Sequence, residues 1–66
     1  MTELERASVA KEMNHAANGV VRAAEIVEIP GSGTRIFAAK VHDRFSTRLV
    51  LLYLYEDGRT LPRILQ

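Results

Sequence analysis

The 66-residue chain contains no cysteine, so no disulfide can staple it. A domain of this length buries a smaller share of its surface than a larger one, and a net stability of roughly 3–10 kcal/mol is what its size supports. Small domains draw further support from a disulfide, a metal or a partner. The disulfide is excluded, and a metal has little to hold it. Only His15 and His42 carry imidazoles, and neither has a second donor at ligand spacing apart from Asp43, the immediate neighbour of His42. No cofactor is expected. A partner is left, with a homo-oligomer, most simply a dimer, as the first expectation. The lack of cysteine agrees with a reducing compartment, and the expected location is cytoplasmic.

Other absences narrow the reading. No apolar run reaches the 18 or more residues that cross a bilayer, so no membrane association is expected. Glu3 and Glu5 stand where a secretory signal would carry basic residues, so no such signal is expected. Tryptophan is absent and only Phe37, Phe45, Tyr53 and Tyr55 are aromatic, which leaves few platforms for stacking nucleic-acid bases. Hydrophobic residues make up 47% of the chain and charged residues 26%, the balance of a globular domain rather than a disordered one. The chain reads as a single domain, 1–66.

The net charge of +1 conceals a polarity. Residues 1–29 hold three basic and five acidic side chains, a net of −2; residues 30–66 hold six basic and three acidic, a net of +3. The six are Arg35, Lys40, Arg44, Arg48, Arg59 and Arg63. A guanidinium fork suits phosphate and carboxylate alike, so these are candidate phosphate contacts. Solvated strand and loop charges explain them as well.

Thr2-Glu3-Leu4-Glu5 matches a capping box, in which Thr2 accepts from the amide of Glu5 and the Glu5 side chain reaches back. Leu4, Val9, Met13 and Ala16 recur near helical spacing, and Asn18-Gly19 is a stop that tolerates left-handed backbone. A helix over 3–17 follows. Residues 20–29 admit two readings. A helical stripe continues through Val20, Ala23 or Ala24, and Val27; a strand places Val21, Ala23, Val27 and Ile29 on one face with Arg22 and Glu28 on the other. The β-branched residues and the Pro30-Gly31-Ser32-Gly33 turn favour the strand. A hairpin of 24–29 with 34–41 follows, then a polar connection to about Thr47. A strand over 48–55, an Asp57-Gly58 turn and a short strand over 60–65 complete the order. Pro62 assigns that last strand to an edge. The expected class is α+β: an N-terminal helix on a small antiparallel sheet of three to four strands, order α-β-β-β-β, with curling into a small barrel as the alternative.

The apolar segment 49–55 makes the strongest demand. Val50, Leu52 and Leu54 project one way; Leu49, Leu51, Tyr53 and Tyr55 project the other. A half-exposed strand would alternate with polar residues. Burying a Leu or Tyr is worth roughly 1.5–3 kcal/mol, a large share of the margin above. One helix covers one face, so the face of Leu49, Leu51, Tyr53 and Tyr55 is the expected oligomer or partner interface. Barrel closure and a ligand groove are the alternatives.

Catalytic constellations are sparse. Ser8, Ser32 and Ser46 lack a positioned base, and the 30–34 turn lacks the Lys-Ser/Thr pair of a phosphate-binding loop. His42-Asp43-Arg44 is the one tight group, but adjacent residues point to opposite sides and Asp43 suits a local turn bond. Glu25 and Glu28 read as solvated charges. The stretch from Lys40, KVHDRFSTRLVLLYLYEDG, resembles the sheet end of bacterial toxins of the RelE/ParE type over about a third of the chain. That resemblance implies His42, Arg44 and Arg48 as candidate RNA contacts. The family's longer helical hairpin has no room here, and Phe45-Ser46-Thr47 stands as an insertion. The expected function is a non-enzymatic binding or regulatory module that self-associates or takes a protein partner. Nucleic-acid binding is the alternative.

Overall fold

The computed structural model describes residues 1–31 and 33–65; Ser32, singled out above for its Gly-Ser-Gly turn, lies outside them. Helix α1 spans Glu3–Ala17. Five strands follow: β1 Val20–Val21, β2 Val27–Ile29, β3 Arg35–His42, β4 Thr47–Leu54 and β5 Thr60–Leu65, with a 3-10 turn at Ala23–Glu25 between β1 and β2. All pairings are antiparallel, in the order β1-β3-β4-β5, and β2 shares the outer edge of β3 with β1. The sheet is open rather than closed into a barrel, so the α+β expectation is met without the curled alternative. It counts five strands, not three or four, because the segment 20–29 is divided.

Thr2 caps α1 as expected, its hydroxyl accepting from the Glu5 amide at 3.0 Å. The Glu5 carboxylate does not complete the box. Both its oxygens accept from Arg35 instead, at 2.8 and 2.9 Å. The buried stripe of α1 is Val9, Ala10, Met13 and Ala17, while Leu4 is 82% exposed. The helix ends at Asn18, whose φ of 53° and ψ of 49° are left-handed. Gly19 serves a different need: a Cβ there would stand 2.5 Å from Val41 Cγ1.

Residues 20–29 are neither one strand nor a helical extension. Side chains of α1 fold this segment around themselves. Asn14 Oδ1 accepts from the Val21 amide, and Arg6 Nη1 donates to the carbonyls of Ala23 and Ile26 at 2.9 and 2.7 Å. The 3-10 turn shifts the side-chain phase. Val21 and Ile26 enter the core, whereas Val27 and Ile29 lie on the opposite sheet face from them.

The core lies between α1 and one face of the sheet: Phe37, Ala39 and Val41 from β3, Val50 and Leu52 from β4. Val50 is fully buried and Leu52 is 2% exposed, while Leu49 on the other face is 42% exposed. The alternation read in 49–55 is therefore real. At the β4–β5 turn Tyr55 N donates to Arg59 O, Gly58 N donates to Tyr55 O, and Gly58 has a φ of 91°. The Tyr55–Arg59 bond sets the phase of the antiparallel ladder. Leu61, Arg63 and Leu65 therefore bond to β4, and Thr60, Pro62 and Ile64 turn their backbone groups to the open edge. The proline stands where an edge N–H would otherwise face outward.

Candidate functional site

The candidate site is the sheet face away from α1. Strand register arranges it in rows across the columns β2, β3, β4 and β5. One row is Ile29, Ile36, Tyr53 and Leu61; the next is Val27, Ala38, Leu51 and Arg63; a third is Lys40, Leu49 and Leu65. Val27 is 58% exposed and Leu61 47%, and Ile29, Leu49 and Leu65 are exposed as well. Leu51, Tyr53 and Ile36 are half-buried. Of the four expected interface residues, Leu49, Leu51 and Tyr53 stand together on this face. Tyr55 lies just past the end of β4, half-buried, with the Arg59 guanidinium 5.2 Å from its ring centroid. Reasoning from β4 alone missed Val27, Ile29, Ile36, Leu61 and Leu65. The alternation Val27-Glu28-Ile29 was visible, whereas Leu61 to Leu65 carries apolar residues on both faces, and only the register assigns Leu61 and Leu65 to this one.

Small Ala38 leaves the middle of the face low. A hollow of about 390 Å³ opens there, lined by Glu25, Val27, Ala38, Ala39, Lys40 and Leu49. Glu25 is not merely a solvated charge. Its Oε1 lies 3.2 Å from His42 Nε2 and its Oε2 accepts from Arg22 at 3.4 Å. The hydrogen bond from His42 is the main reason its carboxyl is held below the usual range.

The six basic residues do not converge on one surface. Arg35 grips Glu5 and Glu28; Glu28 is an exposed charge, as expected, and is paired as well. The guanidinium lowers both carboxyls, and they in turn raise Arg35 well above its ordinary value. Arg48 donates to the last helical carbonyl, Ala17 O, at 3.0 Å and pairs with Asp43 at 3.3 Å. Arg59 pairs with Asp57 at the turn. Lys40, Arg44 and Arg63 form no ion pair among the described residues, and of these Lys40 and Arg63 belong to the apolar face.

The group His42-Asp43-Arg44 separates as chain geometry requires. His42 meets Glu25, while Asp43 Oδ1 accepts from the amides of Phe45 and Ser46 at 2.8 and 2.7 Å and is thereby lowered in pKa. Of the contacts that the toxin resemblance implies, Arg48 is engaged with α1 and His42 with Glu25; Arg44 is exposed in the β3–β4 connection. A second depression, about 810 Å³, runs between α1 and β5 and has a mixed lining that includes Lys11, Glu12, His15, Thr60 and Pro62. Among the described residues no three His, Cys, Asp or Glu side chains gather at metal-binding distance. No helix among the described residues is long and apolar enough to cross a membrane. No family model, curated protein or solved structure matches the chain.

Proposed function

We propose that this chain is a small non-enzymatic binding module that self-associates through the helix-distal face of its sheet. The observation carrying the reading is the contiguous apolar surface of Val27, Ile29, Leu49, Leu61 and Leu65, exposed around half-buried Ile36, Leu51 and Tyr53. Contiguous apolar surface of this kind marks interaction sites. With strands ~4.8 Å apart and ~3.3 Å per residue, the three, eight, eight and six residues of β2, β3, β4 and β5 present roughly 400 Å² in projection. A standard interface buries about 800 Å² per partner, so a dimer built on this face is at the small end of specific contacts. The sheet edges offer less. One edge is broken between β1 and β2, and the other carries Pro62.

Sedimentation velocity and light scattering at tens of micromolar test the reading. The expected mass is twice that of the chain, and Leu49→Glu should return it to monomer with its circular dichroism unchanged. A wild-type chain that stays monomeric up to hundreds of micromolar overturns it. Nucleic-acid binding would draw on Lys40 and Arg63, the cations of the same face. Titration with a single-stranded oligonucleotide at two salt concentrations separates the readings, because phosphate binding weakens steeply with salt.

A further inference from the structure

The rows and columns of the face, together with its two cations, restrict how a second copy can lie on it. The inference rests on self-association through this face. A dimer that buries the whole face places its twofold axis over the centre, at the boundary between the β3 and β4 columns, and the axis lies in the plane between the two sheets. Two orientations bring facing sheets into aligned packing.

An axis perpendicular to the strands keeps each column over itself and inverts the rows. The central row is Val27, Ala38, Leu51 and Arg63, so this orientation sets Arg63 against the same residue of the second copy. Like charges meeting at the margin of an apolar interface oppose association, and Lys40, in the β3 column, lies opposite an apolar residue in either orientation, over Ile36 here and over Leu49 in the other. An axis parallel to the strands keeps each row and exchanges the columns, so that β4 faces β3 and β5 faces the β2 side. Three complementary matches then arise together. Leu51 of one copy lies over small Ala38 and the 390 Å³ hollow of the other, a large side chain against a small one. Leu61, 47% exposed, lies over Ile29. Arg63 lies over Val27, which lines the hollow together with Glu25.

We infer that the chain forms a twofold dimer about the strand-parallel axis, in which Arg63 of each copy pairs with Glu25 of the other and Leu51 fills the hollow above Ala38. Packing selects the orientation, because the perpendicular axis sets Leu51 over Leu51 and Ala38 over Ala38, whereas the parallel axis seats Leu51 in the hollow. Arg63 suits this role because it is exposed and has no ion pair among the described residues. Glu25 lines the hollow, and although His42 and Arg22 already contact its oxygens, its side chain is still partly exposed to a further cation.

The test is a charge swap between copies. Arg63→Glu and Glu25→Arg each place like charges at both symmetry-related contacts, and each alone should weaken dimerisation about tenfold or more. An equimolar mixture of the two variants restores opposite charges at both contacts. It should form heterodimer close to wild-type affinity, read by sedimentation equilibrium with one variant fluorescently labelled. Glu25→Arg also removes the contacts of Glu25 with His42 and Arg22, but a fold defect would not be repaired by mixing. A wild-type dimer that Arg63→Glu leaves equally tight, or two weakened variants that mixing does not rescue, overturns the pairing while the apolar interface stands. A wild-type chain that is monomeric throughout removes the interface itself.

Discussion

Arg35 of β3 holds Glu5 of the first helical turn through two parallel hydrogen bonds, Nη1 to Oε2 at 2.8 Å and Nη2 to Oε1 at 2.9 Å. The same guanidinium reaches Glu28 of β2 through Nε and Nη2, each at 2.9 Å. One cation thus joins the helix start, the central strand and the short edge strand. An acidic residue in the first turn also suits the positive end of the helix dipole.

Acid should dissolve this junction in a defined direction. Arg35 lowers the carboxyls of Glu5 and Glu28 from their ordinary 4.5. A group whose pKa is depressed on folding stabilises the fold above its unfolded value and loses that contribution as pH falls through the folded value. The urea midpoint of the wild-type chain should therefore hold near neutrality and fall below about pH 4.5. Arg35→Gln should be less stable at pH 7, and the gap between the two should close toward pH 2. A gap that stays constant over that range would show that the ion pairs are not its source.

The other end of α1 is held by Arg48, whose Nη2 donates to Ala17 O at 3.0 Å. A cation there opposes the negative end of the dipole and satisfies a terminal carbonyl. Arg48→Ala should cost about 1 kcal/mol, the usual size of one such bond, with no change in the slope of urea unfolding. Hydrogen exchange should show the loss first at the end of α1.

Asn18 and Gly19 form one stop signal in the sequence, yet the fold uses them for different reasons. Asn18 adopts the left-handed conformation, and Ala there should cost about 1 kcal/mol, while Gly should be tolerated. At Gly19 the constraint is room, because a Cβ meets fully buried Val41 at 2.5 Å and His42 O at 3.3 Å. Gly19→Ala should cost about 1–3 kcal/mol through crowding of the core. Thermal unfolding of Asn18→Gly and Gly19→Asn separates the two roles, and equal losses in both would contradict the assignment.

What was legible in the sequence was local. The helix over 3–17 follows from spacing and a cap, and the two faces of β4 follow from strict alternation in a run that has no polar interruption. What was not legible depends on groups distant in the chain. The phase change that buries Ile26 and exposes Val27 arises because Arg6 captures the carbonyls of Ala23 and Ile26, about twenty residues away. The capping box is half made because Arg35, thirty residues from Glu5, competes for its carboxylate. Each of the six C-terminal basic residues looks alike in sequence. Only tertiary pairing separates the structural Arg35 and Arg48 from Lys40 and Arg63 on the open face.

Pro62 gives the last prediction. Its strand is exposed along its length, and its position in the ladder turns Thr60, Pro62 and Ile64 toward the open edge. An edge with a full row of N–H and C=O groups recruits further strands, and a missing N–H interrupts that row. Pro62→Val restores the donor and raises strand propensity while leaving the apolar face intact. Static light scattering over hours at tens of micromolar should show species larger than the wild type forms, growing with concentration. Pro62→Lys restores the same N–H beside a charge that discourages edge pairing, so it should scatter less than the valine variant. If the valine variant keeps the wild-type mass at every concentration, the edge is guarded by something other than the proline.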